Sequence, residues 1–164
     1  MTEAAERPLA RRIQARAMRA VNVPMRVVLA APLPTPLGKR LMLAFITGRK
    51  TGKVYHQPMS YVRDGNTLLT PGGGKWKLNL VDGKPVRLRL GGRDVLARPE
   101  LIGEVDEVDR LLSVIVTANP GAKSFVHIPI GPDGHFDRDA LKTAIQYGFR
   151  IVRWHLDESS DTVK

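Results

Sequence analysis

Hydrophobic and polar positions along the chain alternate in a way that predicts a strand-rich fold. Leu41–Thr47 is apolar at nearly every position, the pattern of a strand buried on both faces. Val54–Val62 follows as a second strand. Pro58 inside it lacks an N–H and therefore belongs on a sheet edge or at a bulge. Arg63-Asp-Gly-Asn66 is a hairpin turn, since Asp-Gly and Asn take positive φ readily, and Thr67–Thr70 is the returning strand. Lys75–Leu80 reads as a short helical turn. Pro85–Leu90 and Arg93–Leu101 flank Gly91-Gly92 as another hairpin, with Val86, Leu88 and Leu90 alternating against Arg87 and Arg89.

Helical spacing appears at three places. Asp106–Ala118 puts Val108, Leu111, Leu112, Ile115 and Val116 on one face, and Asn119-Pro-Gly121 stops it. Asp137 is placed to cap a helix running to about Tyr147. Near the N-terminus, Leu9, Ile13, Ala17 and Val21 recur at helical spacing, with Arg12, Arg16 and Arg19 on another face. Asn22-Val-Pro24 ends that helix, and Pro32, Pro34 and Pro36 form a stiff connector. Phe125–Ile130 predicts a short strand and Phe149–Leu156 the last one. Strands joined mostly by hairpins do not make a βαβ protein. The expectation is a mainly β (α+β) fold: a small barrel of about six mostly antiparallel strands with flanking helices. A basic N-terminal helix over 1–24 precedes one domain over 25–164.

Composition narrows the classes. The 164 residues can bury a real core, and 43% hydrophobic with 26% charged residues is the balance of a globular chain. The chain has no cysteine, which excludes disulfides, thiolate metal sites and cysteine nucleophiles. The net charge of +10 is uneven: residues 1–53 carry eleven Lys/Arg against Glu3 and Glu6, whereas residues 54–164 carry fifteen against fourteen acids. One electropositive region is expected, suited to phosphates, nucleic acid or anionic lipid. The apolar runs are too short to span a bilayer, and the arginines of 10–20 exclude a signal h-region. The reading is a cytoplasmic protein. Its basic helix either packs on the barrel or makes peripheral contact with a membrane.

Candidate chemistry centres on two turns. Gly48-Arg-Lys-Thr-Gly52 joins two cations, a hydroxyl and freely shaped backbone, the donor set a phosphate needs. A basic hairpin turn would look the same. Pro71-Gly-Gly-Gly-Lys75-Trp76 offers bare main chain beside an aromatic ring, suited to a flat ligand, with Lys75 and Lys77 for its acidic groups. A flexible loop would also look like this. No GxxxxGK[ST] loop is present. His56, His127, His135 and His155 lack metal-type spacing, and no serine sits in a nucleophile elbow. If the chain is an enzyme, a bound cofactor carries the chemistry. A basic module without catalysis is the competing class. Against it stand only nine aromatics and no nucleic-acid-recognition motif.

The order Thr47-Gly-Arg-Lys-Thr-Gly52, Pro58, Tyr61, Asp64-Gly65, Gly72-Gly-Gly74, Trp76, Asn79-Leu80 resembles the deazaflavin-dependent nitroreductase family, most densely over 41–98. These are split β-barrel oxidoreductases related to FMN-binding proteins. The resemblance implies coenzyme F420 (8-hydroxy-5-deazaflavin), with FMN as the alternative, and a small organic acceptor such as a nitro compound or quinone. It places Arg49, Lys50 and Thr51, with Gly52 closing their turn, at the phosphate and acidic tail, and Pro58 and Tyr61 along the groove. Gly72, Gly73 and Gly74 would approach the ring, flanked by Lys75, Trp76 and Asn79, and Tyr147 is a candidate for the substrate pocket. It implies a homodimer and no nucleic-acid partner.

Overall fold

A computed structural model of the chain describes residues 40–158. The expected helix near the N-terminus, the proline connector and the domain boundary at 24 lie outside the described residues. Seven strands form one sheet: β1 (Leu41–Thr47), β2 (Val54–Ser60), β3 (Val62–Asp64), β4 (Thr67–Gly72), β5 (Val86–Leu90), β6 (Arg93–Ile102) and β7 (Arg150–Leu156). Their order is β2-β1-β5-β6-β7-β4-β3, every pair antiparallel. The sheet curls into a split β-barrel with helices against one side. The helices are α1 (Val105–Ala118), α2 (Lys123–Val126) and α3 (Arg138–Gln146), and Trp76–Leu80 is a 3₁₀ turn.

Two apolar layers account for the arrangement. On the concave side Met42, Ala44 and Ile46 of β1 meet Leu68, Leu88, Ala97, Val152 and Trp154, all fully or almost fully buried. On the other side Leu69, Ile102 and Ile151 receive the Val108, Leu111, Leu112 and Ile115 face of α1. Each of these helix side chains contributes roughly 1.5–3 kcal/mol by burial. The Glu104 cap, whose carboxylate accepts from the Asp106 and Glu107 N–H groups, contributes about 1 kcal/mol. Packing, not capping, holds α1.

Two expectations change. The strand expected over Val54–Val62 divides at Tyr61, whose N–H makes the last bond toward the β1 side, to the Arg40 carbonyl at 3.0 Å. Val62–Asp64 then pairs with β4 as a strand of its own. Phe125–Ile130 is not a strand. Its first residues continue from the Pro120–Ala122 turn into α2, and only Ile130 makes an isolated bridge, to Phe136. Pro129 cannot donate to a ladder, which limits that segment. Pro58 sits on β2 at the open edge of the sheet, as its missing N–H requires.

Candidate functional site

The β1–β2 connection and the 3₁₀ turn face each other across a cavity of about 550 Å³. The connection is a tight loop. The Gly48 N–H donates to the Lys53 carbonyl and the Gly52 N–H to the Gly48 carbonyl, both at 2.8 Å, with Gly52 at φ +68°. This closure leaves the adjacent N–H groups of Lys50 and Thr51 without partners among the described residues. A short bridge ties the loop to the opposite wall: the Arg49 N–H donates to Asn79 Oδ1 at 3.0 Å, and Asn79 Nδ2 donates to the Trp76 carbonyl at 3.1 Å.

The lining is aromatic and cationic. Trp76 and Leu78 come from the 3₁₀ turn, and Tyr55 and Gln57 project from β2 beside Ile46. Arg49, Lys50 and Lys75 supply charge, and among the described residues no carboxylate lines the cavity. Among the described residues, none of these three cations enters an ion pair. Some basic residues elsewhere are paired with acids: Arg87 and Arg89 share Asp94, and Arg153 joins Glu100 and Glu107. The cavity therefore concentrates unpaired positive charge beside apolar walls, an arrangement that attracts an anion with a flat apolar body. A second cavity of about 370 Å³ adjoins it, sharing Ile46, Gly48, Arg49 and Asn79.

The structure brings together Arg49, Lys50, Thr51, Lys75, Trp76 and Asn79 of the expected site residues. Gly52 shapes the loop without lining the cavity. Pro58 and Tyr61 do not line it either; Tyr61 is half-buried, and burial raises its phenol pKa while Arg63 opposes the rise. The three glycines also stand outside it. Gly72 lies in β4, where an added Cβ would come 3.0 Å from the Arg150 carbonyl oxygen and 3.2 Å from Lys77 Cδ. Gly74 adopts φ +89°, and an added Cβ at Gly73 would meet nothing within 4 Å. Lys77 turns inward: it is buried, its Nζ donates to the Gly74 carbonyl, and burial and then Arg150 lower its pKa. Tyr147 projects into solvent at the end of α3, 85% exposed and outside the cavity.

Sequence reasoning missed Tyr55, Gln57 and Leu78. The available signal was the alternation within β2, since Tyr55 opposes Ile46 and Gln57 opposes Ala44. That signal becomes readable only once the β1–β2 register is known.

No protein-family model matches the chain, and no curated protein matches it. Solved structures share its fold. A candidate 5-nitroimidazole antibiotic resistance protein from Bacteroides thetaiotaomicron aligns at TM-score 0.53 and 13% identity, over 74% of this chain and 76% of that one. A FAD-binding protein from Mesorhizobium loti aligns at TM-score 0.50 and 11% identity, over 73% and 82%. An F420-H2 dependent reductase aligns at TM-score 0.49 and 14% identity, over 71% and 94%.

Proposed function

We propose that the chain is an oxidoreductase that binds a flavin-type cofactor, coenzyme F420, in the cavity between the Gly48–Gly52 loop and Trp76. The observation that carries this reading is the lining itself: three cations without acidic partners around two aromatic side chains in one cavity. That donor set fits a conjugated ring bearing a phosphate and an acidic tail. Arg49, Lys50, the free N–H groups of the loop and the Thr51 hydroxyl would hold the phosphate and tail. Lys75 would add charge, and Trp76 and Tyr55 would bound the ring.

Bound reduced cofactor supplies hydride for a small organic acceptor. The protein binds, orients and excludes water. Ile46, Leu78 and the two aromatic side chains form an apolar wall against which the ring would lie, and a ring seated there would shield the charge interactions beside it from water. Asn79 keeps the two walls in register through its bond to the Arg49 N–H. The fold family includes a protein described as FAD-binding, in line with a cofactor of this shape.

Titration of the purified protein with F420 and with FMN, followed by protein fluorescence, tests the reading. F420 is expected to bind more tightly, and the reduced form to be oxidised in the presence of a quinone or nitro acceptor. Binding of neither compound overturns the proposal, and preference for FMN would replace the cofactor while keeping the site.

A further inference from the structure

Thr51 and Tyr55 both line the cavity, and their hydroxyl oxygens stand 3.3 Å apart with either able to donate. A hydroxyl carries one O–H donor and two acceptor lone pairs. The Lys53 N–H already donates to Thr51 Oγ1 at 3.3 Å. When Tyr55 gives its proton to Thr51, both acceptor positions of Thr51 are filled and the Thr51 O–H has to point elsewhere. When Thr51 donates instead, the Tyr55 O–H is the one left over. Neither hydroxyl has another hydrogen-bond partner among the described residues. In both arrangements one O–H is unused by the protein.

Gly48 lets Tyr55 approach the loop closely. The tyrosine ring lies so near Gly48 that an added Cβ there would be 2.7 Å from Tyr55 Cε2 and 2.8 Å from Thr51 Oγ1. The glycine lets ring, hydroxyl and loop converge.

We infer that Tyr55 and Thr51 act as one interchangeable donor to an anionic oxygen of the ligand, a phosphate or a carboxylate. This rests on the cofactor reading above and adds Tyr55 as a binding residue. Because either hydroxyl can deliver the bond, losing one is largely covered by the other, and losing both removes it.

A double-mutant cycle measures this. Dissociation constants for F420, for the deazaflavin fragment without phosphate and tail, and for inorganic pyrophosphate are compared across wild type, Tyr55→Phe, Thr51→Val and the double variant. Each single variant is expected to weaken F420 by about twofold. The double variant should lose the whole hydrogen bond to a charged group, roughly tenfold to a hundredfold, well beyond the product of the singles. The tail-free fragment should bind all four proteins alike. Thr51→Ser should restore the Tyr55→Phe background to single-variant affinity. The salt dependence of binding should keep its slope, because a neutral donor is lost; a merely displaced loop would shift Arg49 and Lys50 and change it.

Both substitutions keep the bulk of their side chains, and if Thr51→Val unfolds, Thr51→Ala takes its place in the cycle. Equal affinity of the Thr51→Val and double variants overturns the inference, as does strict additivity. If F420 and FMN both fail to bind, pyrophosphate decides. The same non-additive pattern with pyrophosphate keeps the hydroxyl pair while the cofactor reading falls. Indifference of pyrophosphate to the double variant, or no anion binding at all, removes the pair as well.

Discussion

Gly48→Ala is expected to damage ligand binding as well as folding. The residue is buried, and its φ lies outside the left-handed region, so alanine meets no backbone obstacle. The obstacle is steric. The new methyl would stand 2.7 Å from Tyr55 Cε2 and 2.8 Å from Thr51 Oγ1, where ordinary contact begins near 3.4 Å. The ring must retreat by the difference, about 0.7 Å, and Thr51 by slightly less. Overpacking of this kind costs about 1–3 kcal/mol in a closed core. Tyr55 is 48% exposed, so its ring can swing toward solvent and the cost falls at the low end. That corresponds to a Tm lower by about 4 °C. Binding suffers twice, because the same retreat moves one cavity wall and parts the two hydroxyls. A loss of about 1.4 kcal/mol, a tenfold higher Kd, is expected. Gly73→Ala is the matched control. Its Cβ meets nothing within 4 Å and the residue lies outside the cavity, so stability should stay within about 0.5 kcal/mol of wild type and affinity should be unchanged. Thermal melts and F420 titrations of both variants decide. Normal binding by Gly48→Ala, or lost binding by Gly73→Ala, would refute the placement of the ligand against the β1–β2 loop.

Arg49→Ala and Lys50→Ala should each weaken F420 by roughly 1–3 kcal/mol, or about tenfold and more, with the loss shrinking as salt is raised in the titration. Glu107 is held at a pKa of about 2, below its ordinary 4.5, by the side-chain hydrogen bonds of Arg110 and then Arg153. Its folded pKa is depressed, so its contribution is complete above pH 4.5 and disappears as the pH falls toward 2. Urea midpoints over that window should fall less steeply for Glu107→Gln than for wild type. Leu111→Ala, which removes a fully buried side chain beneath α1, should cost about 2–5 kcal/mol in the same unfolding assay.

What the sequence made legible follows from how local each signal is. The apolar run of β1 and the five-residue face of α1 are periodic within one element, and both are buried as the spacing requires. The segment 125–130 was misread because an apolar stretch that short has no period of its own, and the preceding turn set its conformation. The cations of the cavity were legible because Arg49, Lys50 and Lys75 sit on turns marked by glycine. Tyr55 and Gln57 were not, because the face of an edge strand is chosen by its neighbour's register. The triple glycine was read as bare backbone for a ligand ring. Within the fold, its small size admits the Lys77 stem and the Arg150 backbone at Gly72, and Gly74 supplies a positive φ.

The chain's two tryptophans occupy opposite worlds. Trp154 is fully buried in the concave core, its Nε1 donating to Thr70 Oγ1 at 3.3 Å from a strand 84 residues away in sequence. Trp76 stands half-buried on the cavity wall. The molecule thus carries two optical reporters with separate duties. Emission from Trp154 tracks the closure of distant strands, and emission from Trp76 tracks occupancy of the cavity. Replacing either one with phenylalanine leaves a single-channel instrument, in which the time course of strand closure and the time course of ligand arrival can be recorded without one signal contaminating the other.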